Sequence, residues 1–253
     1  MAKEKSWSLD CDRTILLGGC LAVAGIAWLA MMRLSMGMTM PDGCAMTMRQ
    51  DVVSLFAMWT VMMVAMMLPS TLPFVFAFSK EQRRRQEQKG TIALTAYFLA
   101  GYAAVWVAFS AGCAAVQQFL HDRALLSPRM ASTSVVFSAC LLMAVGAYQW
   151  TPMKNACLHH CRTPFAFLLG KWREGRSGAA RMGAEHGMIC VGCCWMLMLL
   201  PFAAGVMDLR WMAGITALLM LEKAAPGGEW VSRIAGAVLT TAGTGVLWWG
   251  LAR

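Results

Sequence analysis

The sequence predicts an all-α, polytopic transmembrane bundle of about seven spans, with six as the alternative. Three observations carry this. The 253 residues are 58% hydrophobic and only 14% charged, with a mean hydropathy of +0.55. Several near-uncharged runs approach the ~20 residues that cross ~30 Å of hydrocarbon. Those runs are evenly apolar rather than alternating, which excludes barrel strands and leaves helices as the spanning form.

Taken in order, the expected spans cover Thr14–Met32, Val52–Phe78, Ile92–Val116, Ala131–Trp150, Met188–Met207, Trp211–Ala225 and Trp230–Leu251. The first follows Lys3 and Lys5 like a signal peptide. Its apolar run is longer than an h-region of ~7–15 residues and ends in Met-Met-Arg rather than a cleavage site, so it reads as a retained helix. The second carries Pro69 and Pro73, which predicts a kinked or partly unwound inner end. The sixth is short and is the segment that would be re-entrant in a six-span arrangement. No internal repeat is visible, and one membrane domain accounts for residues 1–253. Trp150, Trp211, Trp248 and Trp249 at span ends read as an interfacial belt.

Alternate connections carry sixteen and six Lys or Arg residues. The positive-inside rule then puts the N-terminus in the cytoplasm and the C-terminus outside, with the chain in a bacterial inner membrane. The net charge of +9 is assigned to loops facing anionic lipid, not to nucleic acid, because no basic–aromatic interleaving or phosphate-binding loop is present. No ATP motif is present either, which excludes a primary pump.

The soft donors are concentrated. Cys157, His159, His160 and Cys161 precede, and His186, Cys190, Cys193 and Cys194 close, the segment containing the cytoplasmic basic loop at 151–187. These eight fall within 38 residues, out of 10 Cys and 4 His in the chain. Thiolate and imidazole suit copper(I), zinc or an iron–sulfur centre rather than calcium or magnesium. Cys157/Cys161 and Cys190/Cys194 are each four apart, so each pair shares a helix face and can reach one ion. Cys190 and Cys193 form a C-x2-C pair, found in metal sites and in redox motifs. The three histidines are alternates or neighbours of the ligands. Asp208 and the pair Glu222-Lys223 read as interface anchors or a bundle ion pair, and the scattered Cys11, Cys20, Cys113 and Cys140 as packing residues.

Methionine is abundant, 23 residues, and its placement is uneven. The outer loop at 33–50 repeats Met36, Met38, Met40 and Met46, Met48 on every second residue. Thioethers hold copper(I) without deprotonation in an oxidising compartment; the alternative is a loop dipping into lipid headgroups. Met58, Met62 and Met66, with Met63 and Met67 beside them, form a stripe on the second span. That stripe is either core packing or a donor track.

Three segments, MMVAMMLPS (62–70), PMKNACLHHCRTP (152–164) and CVGCCWMLMLLPFAAGVMDLRWM (190–212), followed by Glu222-Lys223, resemble a bacterial family of predicted metal-binding integral membrane proteins. Some of these are copper chaperones for tyrosinase-type enzymes. The resemblance implies Cys157, Cys161, Cys190, Cys193 and Cys194 as metal ligands, with Lys154 and Met66–Met67 as neighbouring motif positions. One departure is Asp208, where the family pattern has an amide.

The expected function is therefore copper(I) handling in the membrane, for transport or for delivery to a cuproenzyme client or a partner chaperone. It would run from the methionine loop and stripe to the Cys/His cluster, with no catalytic reaction. Two alternatives stand beside it: a thiol oxidoreductase using Cys190 and Cys193, and a structural subunit clipped by zinc or iron–sulfur.

Overall fold

The computed structural model describes residues 2–37, 52–85, 90–123, 134–206 and 208–252, and among these it is all-α without strands. In chain order the helices are α1 (Ala2–Gly37), α2 (Val52–Arg85), α3 (Thr91–Asp122), α4 (Val135–Tyr148), α5 (Pro152–Arg162), α6 (Pro164–Lys171) and α7 (Gly175–Cys194). A 3-10 turn (Leu197–Leu199) leads to α8 (Pro201–Ala204), α9 (Leu209–Ala224) and α10 (Gly228–Leu251). Three helices are long and apolar enough to cross a membrane, or five if each bent pair counts as one span. The bent pairs are α4–α5, at 61°, and α7 with the segment Leu197–Ala204, at 69°. At 16 residues, or about 24 Å of rise, α9 falls short of the hydrocarbon thickness on its own.

Local sequence sets the breaks. Pro152, Pro164 and Pro201 each open a new helix at its first turn, where the missing N–H costs nothing. The Thr151 side chain accepts from the Lys154 amide to cap α5, and Ser134 caps α4 through the Phe137 amide. Asp208 caps α9 by accepting from the Arg210 amide at 2.9 Å. Asp208 also lies 3.7 Å from the Arg210 side chain, a local exposed ion pair, and its capping role is compatible with an amide there, since Asp and Asn cap about equally well.

The expected unwinding of the second span is corrected: α2 is continuous through Pro69 and Pro73. Pro69 cannot donate to the carbonyl four residues back, at Ala65. The Trp28 indole N–H from α1 donates to that oxygen at 3.1 Å instead, so the helix passes the proline without an orphaned carbonyl.

The segment at 151–187, expected as a loop, is mostly helical. It comprises α5, α6 and the first thirteen residues of α7. The last of these was missed because Gly178–Gly187 is not hydropathic. It is small instead, and α7 lies against α3 where a Cβ at Gly183 would collide with the Phe98 carbonyl. A Cβ at Gly187 would come within 3.1 Å of the Val105 Cβ. Close approach at small residues, not hydropathy, holds this pair. On the other side, α10 packs antiparallel to α4 through Gly236, Gly243 and Gly250, one every seventh residue.

A buried polar network fixes α5 to α9. The Lys154 ammonium donates to both Glu222 oxygens at 2.9 Å and to the Gln149 amide oxygen, with Lys154 and Glu222 inaccessible to solvent. Ser232 of α10 donates to the same Gln149 oxygen at 3.2 Å.

Two outcomes follow for thermal unfolding in detergent. Lys154→Met alone strands the Glu222 charge and costs about 3–5 kcal/mol, whereas Lys154→Met with Glu222→Leu recovers most of it. Trp28→Phe leaves the Ala65 carbonyl unpaired and costs about 1–3 kcal/mol; an unchanged melting temperature would show that this bond does not support α2.

Candidate metal centre

The register of α2 against α7 organises the site. Descending α2, Met67 meets Cys194, Ser70 and Cys190 share Lys223, and Thr71 and Phe74 meet His186. The two helices therefore run antiparallel here, and Tyr102 of α3 closes the third side.

At the centre, Cys161, Cys190 and Cys193 place their sulfurs within 4.8 Å of one another. Cys161 Sγ and Cys193 Sγ are 3.9 Å apart. A metal–sulfur bond of about 2.3 Å gives a trigonal or tetrahedral site an edge of about 3.8–4.0 Å, so this pair is already at coordination spacing. Among the described residues no other group of three such donors meets the same test. The sulfurs flanking the basic segment thus converge, because α5 folds back after its bend and packs on α7.

The pairing differs from the one that four-residue spacing suggests. On α7, Cys190 partners Cys193 rather than Cys194. Cys194 turns toward α2, its sulfur 3.9 Å from Met67 Sδ, and its S–H donates to the Cys190 carbonyl at 2.8 Å. Cys157 lies against Gly192, where a Cβ would sit 2.9 Å from its sulfur, so the glycine admits α5 to this position. Both neighbour the triad without belonging to it.

His159 and His160 are exposed, the latter held to the Ala156 carbonyl at 2.8 Å, and neither joins the cluster. His186 is buried one turn before Cys190, stacked on Phe74 with centroids 3.7 Å apart. Met62, Met63, Met66 and Met67 are all buried to 1% exposure or less, and Met58 to 7%. The stripe therefore faces the bundle interior and ends at Cys194. Met36 is exposed at the end of α1. Met38, Met40, Met46 and Met48 lie outside the described residues.

The place of the cysteines along their helix is a correction. The sequence reading put the thiols at the cytoplasmic ends of the spans, with Cys190 opening the fifth. Instead α7 starts at Gly175, and the cysteines end it. They sit beside Ser70, the nineteenth residue of α2, and Tyr102, the twelfth of α3. Ten residues, or about 15 Å of helix, separate Ser70 from Lys80 at the basic end. The cluster is halfway along the long helices.

The contacts of Lys223 and Tyr102 with the sulfur of Cys190 escaped the sequence reading. The Lys223 ammonium lies 3.2 Å from Cys190 Sγ and 2.9 Å from Ser70 Oγ, and the Tyr102 hydroxyl lies 3.3 Å from the same sulfur. Lys223 was visible as an ionisable residue in an apolar run, which marks a functional candidate. Tyr102 gave no signal, being 88 residues from its partner. An ammonium against sulfur offsets negative charge where several thiols crowd together without water. Beside the site, an apolar cavity of about 420 Å³ between α1, α2 and α3 reaches Met63, Met67 and Tyr102.

Comparison with known proteins gives one result. A family model described as PpoB2, copper chaperone, matches residues 56–246, about three quarters of the chain. No curated protein and no solved structure matches significantly. The match spans the methionine stripe, the converging thiols and the Lys154–Glu222 network. By that extent, this chain belongs to the PpoB2 copper chaperone family.

Proposed function

We propose that this protein is a membrane-embedded copper(I) chaperone whose cargo sits on Cys161, Cys190 and Cys193. The observation that carries the reading is the coordination spacing of three sulfurs at the end of a buried thioether stripe. Copper(I) is soft and singly charged. Neutral thioethers exchange it readily, whereas thiolates neutralise and retain it. A track from Met58 through Met62, Met66 and Met67 to Cys194 and then the triad runs from weaker donors to stronger ones.

In this reading Met36, Met38, Met40, Met46 and Met48 collect the ion on the outer side of a bacterial inner membrane, with the N-terminus cytoplasmic. The client is a copper enzyme or a second chaperone. The mid-depth position of the triad supports transfer within the bilayer over storage in the cytoplasm. Lys223 supplies a fixed positive charge to the sulfur cluster, which limits its net negative charge when copper is held. A zinc or iron–sulfur clip is the competing occupant.

Anaerobic purification followed by elemental analysis decides between them. The wild type retains copper, and Cys161→Ser/Cys190→Ser/Cys193→Ser loses it while keeping its elution volume in detergent. Zinc or iron in the wild type instead would refute copper handling at this site. Absence of any metal in both proteins would favour thiol redox chemistry at Cys190 and Cys193. The stripe is tested separately: Met62→Leu/Met66→Leu preserves apolar volume, so it keeps equilibrium copper content at the triad but slows copper(I) loading of reconstituted vesicles by roughly tenfold or more. Wild-type loading rates would make the stripe ordinary packing.

A further inference from the structure

His186 has no structural partner that accounts for it. It is 3% exposed, and its Nδ1 meets no hydrogen-bond partner. Its Nε2 is 3.4 Å from Thr71 Oγ1. The ring is enclosed by Phe74 at 3.7 Å, Tyr102 at 5.6 Å, Phe98 at 6.1 Å and Phe167 at 6.2 Å between centroids. An orphaned ring nitrogen in such surroundings carries a desolvation cost that a leucine would not incur. One turn earlier on the same helix, Met182 is fully buried in the cluster that contains Phe74, Phe98 and Phe167.

We infer that His186 and Met182 form a second copper(I) station, one turn beyond the thiols toward the basic end of α2. The inference rests on the copper reading above and extends its route. In the tautomer that carries its proton on Nε2, facing Thr71 Oγ1, the buried Nδ1 keeps its lone pair for a metal, the usual arrangement behind a ligating histidine. Imidazole and thioether are both acceptable to a soft monovalent cation. The aromatic faces around them compensate its charge. Because neither donor is anionic, this station binds more weakly than the triad and suits an ion leaving it. The donor order along the molecule becomes thioethers, thiols, then imidazole with thioether.

The test is anaerobic titration with chelator-buffered copper(I), read by stoichiometry and X-ray absorption. Wild type takes up one more ion than His186→Leu. The variant Cys161→Ser/Cys190→Ser/Cys193→Ser keeps one ion in a mixed nitrogen and sulfur shell, and adding His186→Leu or Met182→Leu removes it. Thr71→Val weakens that residual ion about 10- to 100-fold. Equal stoichiometry in wild type and His186→Leu, or a residual ion that survives both substitutions, overturns the station. Met182→Leu conserves volume and carries the test if His186→Leu fails to fold. Failure of the triad reading looks different, since it removes the sulfur-only signal of the wild type and leaves the nitrogen-containing one to be scored.

Discussion

The structure depends on how closely α7 can approach α3. At Gly183 there is no room for a side chain and at Gly187 a Cβ would be tight, and contact at that distance holds α7 antiparallel to α2 with its last turn beside Tyr102. The contact face is made of small residues, so shape and close packing supply the association. Everything that makes the centre follows from that placement: the sulfur of Cys190 beside Lys223, Cys194 against Met67, and His186 in its aromatic box. Had α7 carried ordinary large side chains on this face, the cysteines would be several ångströms farther from α2 and could not meet its methionines.

The second constraint is charge in an apolar interior. A lysine and a glutamate are buried around the cluster and a second lysine, Lys223, is half-buried there, and their partners divide the work. Lys154 and Glu222 satisfy each other, with Gln149 and Ser232 completing the network, and they tie α5 to α9 and α10. Lys223, next in sequence to Glu222, points elsewhere, to Ser70 and Cys190. A buried pair of this kind adds little net stability over apolar packing but is costly to break. Its effect is positional: α5 is held where Cys161 reaches Cys193. The same pair of adjacent residues thus serves the scaffold through one side chain and the sulfur site through the other.

The arrangement gives copper family membership a physical form. The donors around α2 and α7 change in kind along one direction, from buried thioethers to clustered thiols, with an imidazole beyond. The thiols stand about halfway along α2, with Cys190 and Cys193 buried and Cys161 half-buried.

The all-α class, the apolar helices and the cysteine–histidine segment were legible in the sequence, because helix length, hydropathy and donor identity are local properties. The family resemblance was legible for the same reason, in short contiguous blocks. Which sulfurs share a site was not: spacing offered Cys190 with either Cys193 or Cys194, and the turn of Cys194 toward Met67 leaves Cys193 in the group. Nor was the extent of α7, because glycine and alanine are silent to hydropathy yet decisive for close contact. The roles of Lys154, Lys223 and Tyr102, and the depth of the cluster, belong to tertiary structure alone. They depend on residues far apart in the chain brought within a few ångströms, and no local pattern encodes that distance.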